Sequence, residues 1–114
     1  MEIAAGGNVF IRPNRLEKAG HKTSGHTHNF DHVTFLSRGS VRVRARQVGV
    51  TTNEAFGDVV DRVYVAPAAI CIKKNWMHEF TALEDNTRAD CIFALRDHTG
   101  EVAEEFDGSL ENYS

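Results

Sequence analysis

Two cysteines in 114 residues are too few for a disulfide-held scaffold. Cys71 and Cys91 each sit in an apolar run, 68–72 and 91–95. Neither has the spacing of a metal finger, so both are expected as reduced, buried core thiols, the alternative being a disulfide should their two strands be adjacent. No apolar stretch approaches the ~20 residues of a membrane-spanning helix. The opening residues 1–7 lack the basic start and long apolar run of a signal peptide. A cytoplasmic setting with no membrane partner is therefore expected. Charge of one sign is also missing: 13 Lys and Arg against 16 Asp and Glu leave a net −3, which provides no electrostatic footprint for nucleic acid. There is no long amphipathic helix, no repeat and no low-complexity tract. The length suits one domain, 1–114, which can bury a core without a metal or disulfide merely to fold.

What the chain does have is short strands between turns. Residues 8–12 read as a first strand ended by Pro13, and 14–25 as a polar loop. Residues 26–36, rich in Phe, Val, Thr and His, read as one strand. Ser37-Arg38-Gly39-Ser40 reads as a turn with a late glycine. In 41–50, Val41, Val43 and Ala45 alternate with Arg42, Arg44 and Arg46, the period of a half-buried strand. The two strands around the turn are expected to form a β-hairpin. After a loop containing Asn53 and Gly57 come further strands at 59–65, 69–72, 78–83 and 90–95, with a turn at 84–86. The barrel core is placed at 8–96. An acidic tail follows at 97–114, in which 102–106 forms a last helical turn or an edge strand. Seven or eight short strands predict an all-β sandwich or barrel.

Six histidines are the unusual feature, and four form a pattern. His26, His28 and His32 are all even-numbered, so in one extended strand they project from one face with Phe30, Thr34 and Leu36. His78 shares its face with Phe80 and can converge on them inside a small barrel. A lone strand histidine is ordinarily a surface or satisfied core residue. Three buried together without partners would cost about 1–3 kcal/mol each. Imidazole suits Fe, Ni, Cu and Zn. Four neutral rings leave a dipositive charge that favours an anionic substrate or bound hydroxide. His21 and His98 fall outside the pattern and read as surface residues, and Asp31 points away from it.

At these residues the sequence resembles the cupin superfamily, whose first motif is G-x5-H-x-H-x3,4-E-x6-G. Here it reads Gly20-x5-His26-x-His28-x3-His32-x6-Gly39, with His32 in the glutamate's place. The second motif, G-x5-P-x-G-x2-H-x3-N, survives at His78. Asn75 stands for its inner glycine, Lys73 for its proline and Ala82 for its final asparagine. The resemblance implies a double-stranded β-helix, a jelly-roll-like barrel, with His26, His28, His32 and His78 as metal ligands. His32 either ligates or serves as a catalytic acid/base. The resemblance further implies one divalent transition metal, Fe first and then Ni, Mn, Zn or Cu. It implies a small-molecule substrate and a homodimer. All-histidine cupins resemble dioxygenases, which suggests an Fe(II)-type dioxygenase acting on a small anionic or chelating substrate. The alternatives are a non-catalytic metal-binding or sensing module, a non-redox isomerase or lyase, and a barrel whose histidines respond to pH.

Other residues carry weaker readings. Trp76, Phe30, Phe80 and Phe93 read first as core packing and second as pocket lining. Lys73 and Lys74 read as a solvated loop, or as an attractor for an anionic substrate. Arg42, Arg44 and Arg46 read as a soluble outer face, or as a dimer contact for Glu101, Glu104 and Glu105.

Overall fold

The computed structural model describes residues 4–23, 25–28, 31–52, 54–96, 99–101 and 105–108; for 4–6, 25–28 and 105–108 it describes the backbone alone. The described residues form ten strands: β1 (Ala4–Gly6), β2 (Val9–Leu16), β3 (Gly25–His28), β4 (His32–Arg38), β5 (Ser40–Val48), β6 (Ala55–Val65), β7 (Ala68–Ile72), β8 (Trp76–Ala82), β9 (Thr87–Ala94) and β10 (Glu105–Gly108). Among the described residues no helix is long and apolar enough to cross a membrane.

The strands form two five-stranded antiparallel sheets, ordered β1-β2-β9-β4-β7 and β10-β3-β8-β5-β6. Apolar side chains from both sheets meet in one core: Leu16, Leu36, Ile70, Ile72 and Ala89 from the first, Val41, Val43, Phe80 and Ala82 from the second. Leu36 and Val41 are fully buried, worth about 1.5–3 kcal/mol each. This is the expected all-β, jelly-roll architecture. The alternation read in β5 holds, with Val41, Val43 and Ala45 buried and Arg42 outside.

Three local readings differ. Residues 26–36 are not one strand: β3, ending at His28, and β4, starting at His32, belong to different sheets. Likewise β4 and β5 are not a hairpin, because β5 pairs with β6 and β8. A bulge between Leu36 and Arg38 and the left-handed Gly39 (φ 85°) turn the chain into the opposite sheet. A Cβ on Gly39 would lie 2.9 Å from the Thr87 Cα, so this corner has no room for another residue. Finally, Pro13 does not end the first strand, which runs on to Leu16. Among the described residues β1 covers only residues 9–11 of β2 and no ladder is seen on that side beyond them, a setting in which a residue without an N–H is tolerated.

Gly57 lies inside β6 rather than in a preceding loop. Its φ of 75° accompanies the register shift between Ala45 and Gln47 on the partner strand. At the C-terminal end, Glu105–Gly108 is an edge strand on β3, so the sheet takes a strand from the segment read as a tail. Neither cysteine is in a disulfide, but only Cys91 is buried. Cys71 faces outward because it alternates with the inward Ile70 and Ile72 on β7, an edge strand.

Candidate metal centre

β8 lies between β3 and β5, and its third residue is His78. The Cα of His78 faces His26 across one ladder and Ala45 across the other. The His78 ring is wholly buried. Its Nδ1 lies 3.0 Å from the Trp76 carbonyl oxygen. A carbonyl only accepts, so Nδ1 carries the proton and the lone pair of the neutral ring is at Nε2. The Phe80 ring, 5.8 Å away and nearly perpendicular, packs against the same imidazole.

His32 opens β4 in the opposite sheet, where it pairs with Ile72. Its side chain is 3% exposed. The two imidazoles meet across the interior with centroids 5.3 Å apart and planes tilted by 48°. His32 Nε2 is 3.3 Å from the Thr34 hydroxyl, itself buried. Two imidazoles on a shared ion at bonds of about 2.0–2.1 Å would have centroids roughly 5 Å apart, so the spacing fits a common ligand.

The other two sequence-read ligands are placed through their backbone. His26 lies opposite His78, and His28 lies two residues along β3, opposite Glu105 of β10. Their side chains lie outside the described residues, as do Phe30 and His98. Among the described residues no group of three or more His, Cys, Asp or Glu side chains forms a metal site. Asp31 is exposed, and its Oδ1 accepts a hydrogen bond from the Lys74 backbone at 2.8 Å, which ties the start of β4 to the loop before β8. His21 is exposed.

Asn75, at the second motif's glycine position, adopts φ 63°. Its carbonyl accepts the Val48 N–H at 2.8 Å, which anchors the turn leading into β8. Beside the histidine pair is a cleft of about 240 Å³ between β5, β6, β7 and β8. Ala45 and Ile72, the ladder partners of His78 and His32, both line it. So do Trp76, Tyr64, Arg62 and Lys73. Phe80 is instead a core residue, and Phe93 packs on Phe10 at 4.9 Å. Arg62 and Tyr64 escaped the sequence reading. Their signal was the period-two face Val60, Arg62, Tyr64 on β6, which has no motif to mark it.

In the basic strip on β5, Arg42 finds an acidic partner within the chain and Arg46 a backbone carbonyl. Arg42 makes a two-pronged ion pair with Asp61 of β6, with Nε to Oδ1 at 2.8 Å. The hydrogen bond from Arg42 holds the Asp61 carboxyl below the usual carboxylate range, and Asp61 in turn raises Arg42. Arg46 Nε donates to the Gly57 carbonyl at 2.8 Å.

No protein-family model and no curated protein matches the chain. Solved structures do. A cupin 2 domain-containing protein from Halorhodospira halophila aligns with a TM-score of 0.69 at 14% identity, over 97% of this chain and 70% of that one. Hydroquinone 1,2-dioxygenase PnpCD, solved with Cd2+ and 4-hydroxybenzonitrile, aligns with a TM-score of 0.63 at 11% identity, over 79% of this chain and 60% of that one. KdgF from Halomonas sp. aligns with a TM-score of 0.56 at 17% identity, over 86% and 79%. The chain spans about half (49%) of another match, a cysteine peptidase from Thevetia peruviana latex. At these identities the likeness is one of fold, and it agrees with the two sheets, their antiparallel ladders and the buried face of β8: the chain folds as a cupin.

Proposed function

We propose that this chain is a metal-binding cupin in which His26, His28, His32 and His78 hold one divalent transition metal. The observation that carries the proposal is the pair of buried imidazoles, His32 and His78, delivered 5.3 Å apart from opposite sheets. The His78 tautomer supports it, since the carbonyl bond at Nδ1 orients the ring with a lone pair at Nε2, the usual outer-shell arrangement of a ligating histidine. The register supports His26 as well, because residues directly across an antiparallel ladder share a sheet face. His32 would ligate through Nδ1, or through Nε2 by giving up its contact with Thr34. In the second case Thr34 orients the ring instead.

We further propose an Fe(II)-type dioxygenase acting on a small anionic or chelating substrate, with Fe preferred over Ni, Mn, Zn and Cu. When bound, the ion supplies Lewis acidity and open positions for substrate and O2. The chain's own residues do the rest. Arg62 and Lys73 draw an anion to the cleft, Trp76 and Tyr64 offer flat surfaces to its body, and Ile70 and Ile72 keep water out. His32, in the glutamate's place, holds or returns a proton if it stands back from the ion. A homodimer is the assembly that the resemblance carries with it. A binding or sensing module is the second reading, favoured by Lys73 and Ala82 at the second motif's proline and asparagine positions.

The test is elemental analysis of protein purified without a histidine tag, followed by oxygen uptake with diketones, thiols and phenolic acids. One metal ion per chain, lost in His28→Ala, supports the centre; substoichiometric metal unaffected by His28→Ala overturns it. Metal with no oxygen uptake on any substrate turns the reading to the binding module.

A further inference from the structure

We propose a second, independent site on the outer face of the first sheet: a hollow built by Arg15, Arg38 and Arg88 that binds a phosphate group. The hollow measures about 350 Å³ and is lined by Arg15, Glu17, Lys18, Arg38, Asn86 and Arg88. Four of these side chains are cations and one is a carboxylate, in a chain whose net charge is −3. Arg38 closes β4 while His32 opens it, so the hollow is about 20 Å along the strand from the candidate metal centre.

The register shows how the three guanidiniums come together. Arg15 of β2 lies directly opposite Arg88 of β9, and Arg38 of β4 lies directly opposite the same Arg88 on its other side. All three are exposed. Arg38 reaches this row only because of the bulge between Leu36 and Arg38. Uninterrupted pairing from Leu36–Ala89 would set Ser37 against Arg88 and Arg38 against the inward Thr87. The fold therefore uses an irregularity to place a third like charge beside two others. Like charges directly across a ladder are destabilising. Asp90 answers Arg88, its carboxylate oxygens 3.3 and 3.4 Å from Nε.

The walls are fixed. Asp85 Oδ1 accepts the Ala19 N–H at 2.8 Å, and the Asn86 N–H donates to the Glu17 carbonyl at 2.9 Å. Thr87 Oγ1 donates to the Glu84 carbonyl at 2.9 Å, and Asn86 holds a left-handed φ of 57°. The end of β2 and the turn before β9 are thus laced together around the row. Planar guanidinium forks lining one concavity are suited to the tetrahedral oxygens of phosphate.

The test is an NMR titration of the full chain with inorganic phosphate, exchanged for chloride at constant ionic strength. The expected result is saturable shifts at 15–18, 38 and 86–88, with Arg42 and Arg44 unmoved. Arg38→Gln and Arg15→Gln, at the exposed ends of two different strands, should each weaken binding about tenfold. In phosphate-free buffer both variants should melt no lower than wild type, and only wild type should gain on adding phosphate. Shifts that never saturate, or variants that melt lower without phosphate, overturn the site, since the arginines then serve the fold. Titration with glycerol phosphate, and sedimentation with phosphatidylcholine vesicles containing phosphatidic acid, separate a soluble ester from a lipid headgroup. Binding of either that Arg38→Gln weakens by about tenfold assigns that source to this hollow, and binding of none of the three probes overturns it.

Discussion

Gly39 lies against the backbone of Thr87, so that the corner between the two sheets admits no side chain at that position. The glycine that ends the first histidine motif is therefore explained by packing as well as by its φ of 85°. Gly39→Ala should lose about 3 kcal/mol, from left-handed strain and overpacking together. Urea denaturation checks it, and a midpoint unchanged from wild type would mean that β9 yields freely at Thr87.

Asn75 offers the opposite case, a non-glycine residue holding φ 63° at the turn into β8. Asn75→Gly should be close to neutral. Asn75→Ala should cost about 1 kcal/mol, which lowers Tm by about 4 °C or more. A thermal melt of the two variants side by side is the check, and the expected order is wild type and Gly above Ala.

If the buried pair is part of a metal centre, chelation and mutation should converge. Treatment with a chelator should lower the melting temperature of wild type, because an ion present at 100 times its Kd stabilises the native state by about 2.7 kcal/mol. His78→Gln should copy with little or no metal and show no further drop on chelation. Calorimetry with and without chelator, on both proteins, measures this directly.

The Arg42–Asp61 pair gives a pH signature. Hydrogen bonding from the guanidinium lowers the folded Asp61 below its unfolded value. Its contribution is therefore present above the ordinary carboxylate range and is lost as pH falls through the lowered folded value. Asp61→Asn should flatten the acid limb of the stability curve and leave neutral pH nearly unchanged, since both side chains are exposed. An NMR titration should place the Asp61 midpoint in the folded chain below about 3.9.

Arg62 was silent in the sequence, yet it lines the cleft beside the histidines together with Lys73. Arg62→Ala should weaken binding of small carboxylates in that cleft by about tenfold or less, the range of one exposed charge-assisted contact, without altering metal content. Isothermal titration with a panel of aromatic and aliphatic carboxylates checks it.

Legibility in the sequence followed the range of the interaction involved. β5 was readable because the alternation of Val41, Val43 and Ala45 with arginines is a local period. Asn75 and Gly39 were readable because left-handed turns demand particular residues. The break between His28 and His32 was not, since Phe30 to Leu36 keep the same parity whether or not the chain changes sheets. Pro13 misled for a related reason: its effect depends on how far β1 covers β2, a matter of neighbours rather than of residue type. Cys71 was misjudged because an apolar run on an edge strand still alternates. The Arg15–Arg88–Arg38 row depends on a bulge in one strand and on pairings between segments some 50 to 70 residues apart, which no local pattern announces.

His32 and His78 arrive from separate layers, 46 positions apart in the chain. No isolated hairpin or half-formed sheet can bring these rings together, so their meeting reports that the sandwich has closed. An ion captured there would act as a clasp between the layers, fastened last during folding and felt most in the rate at which the native protein opens.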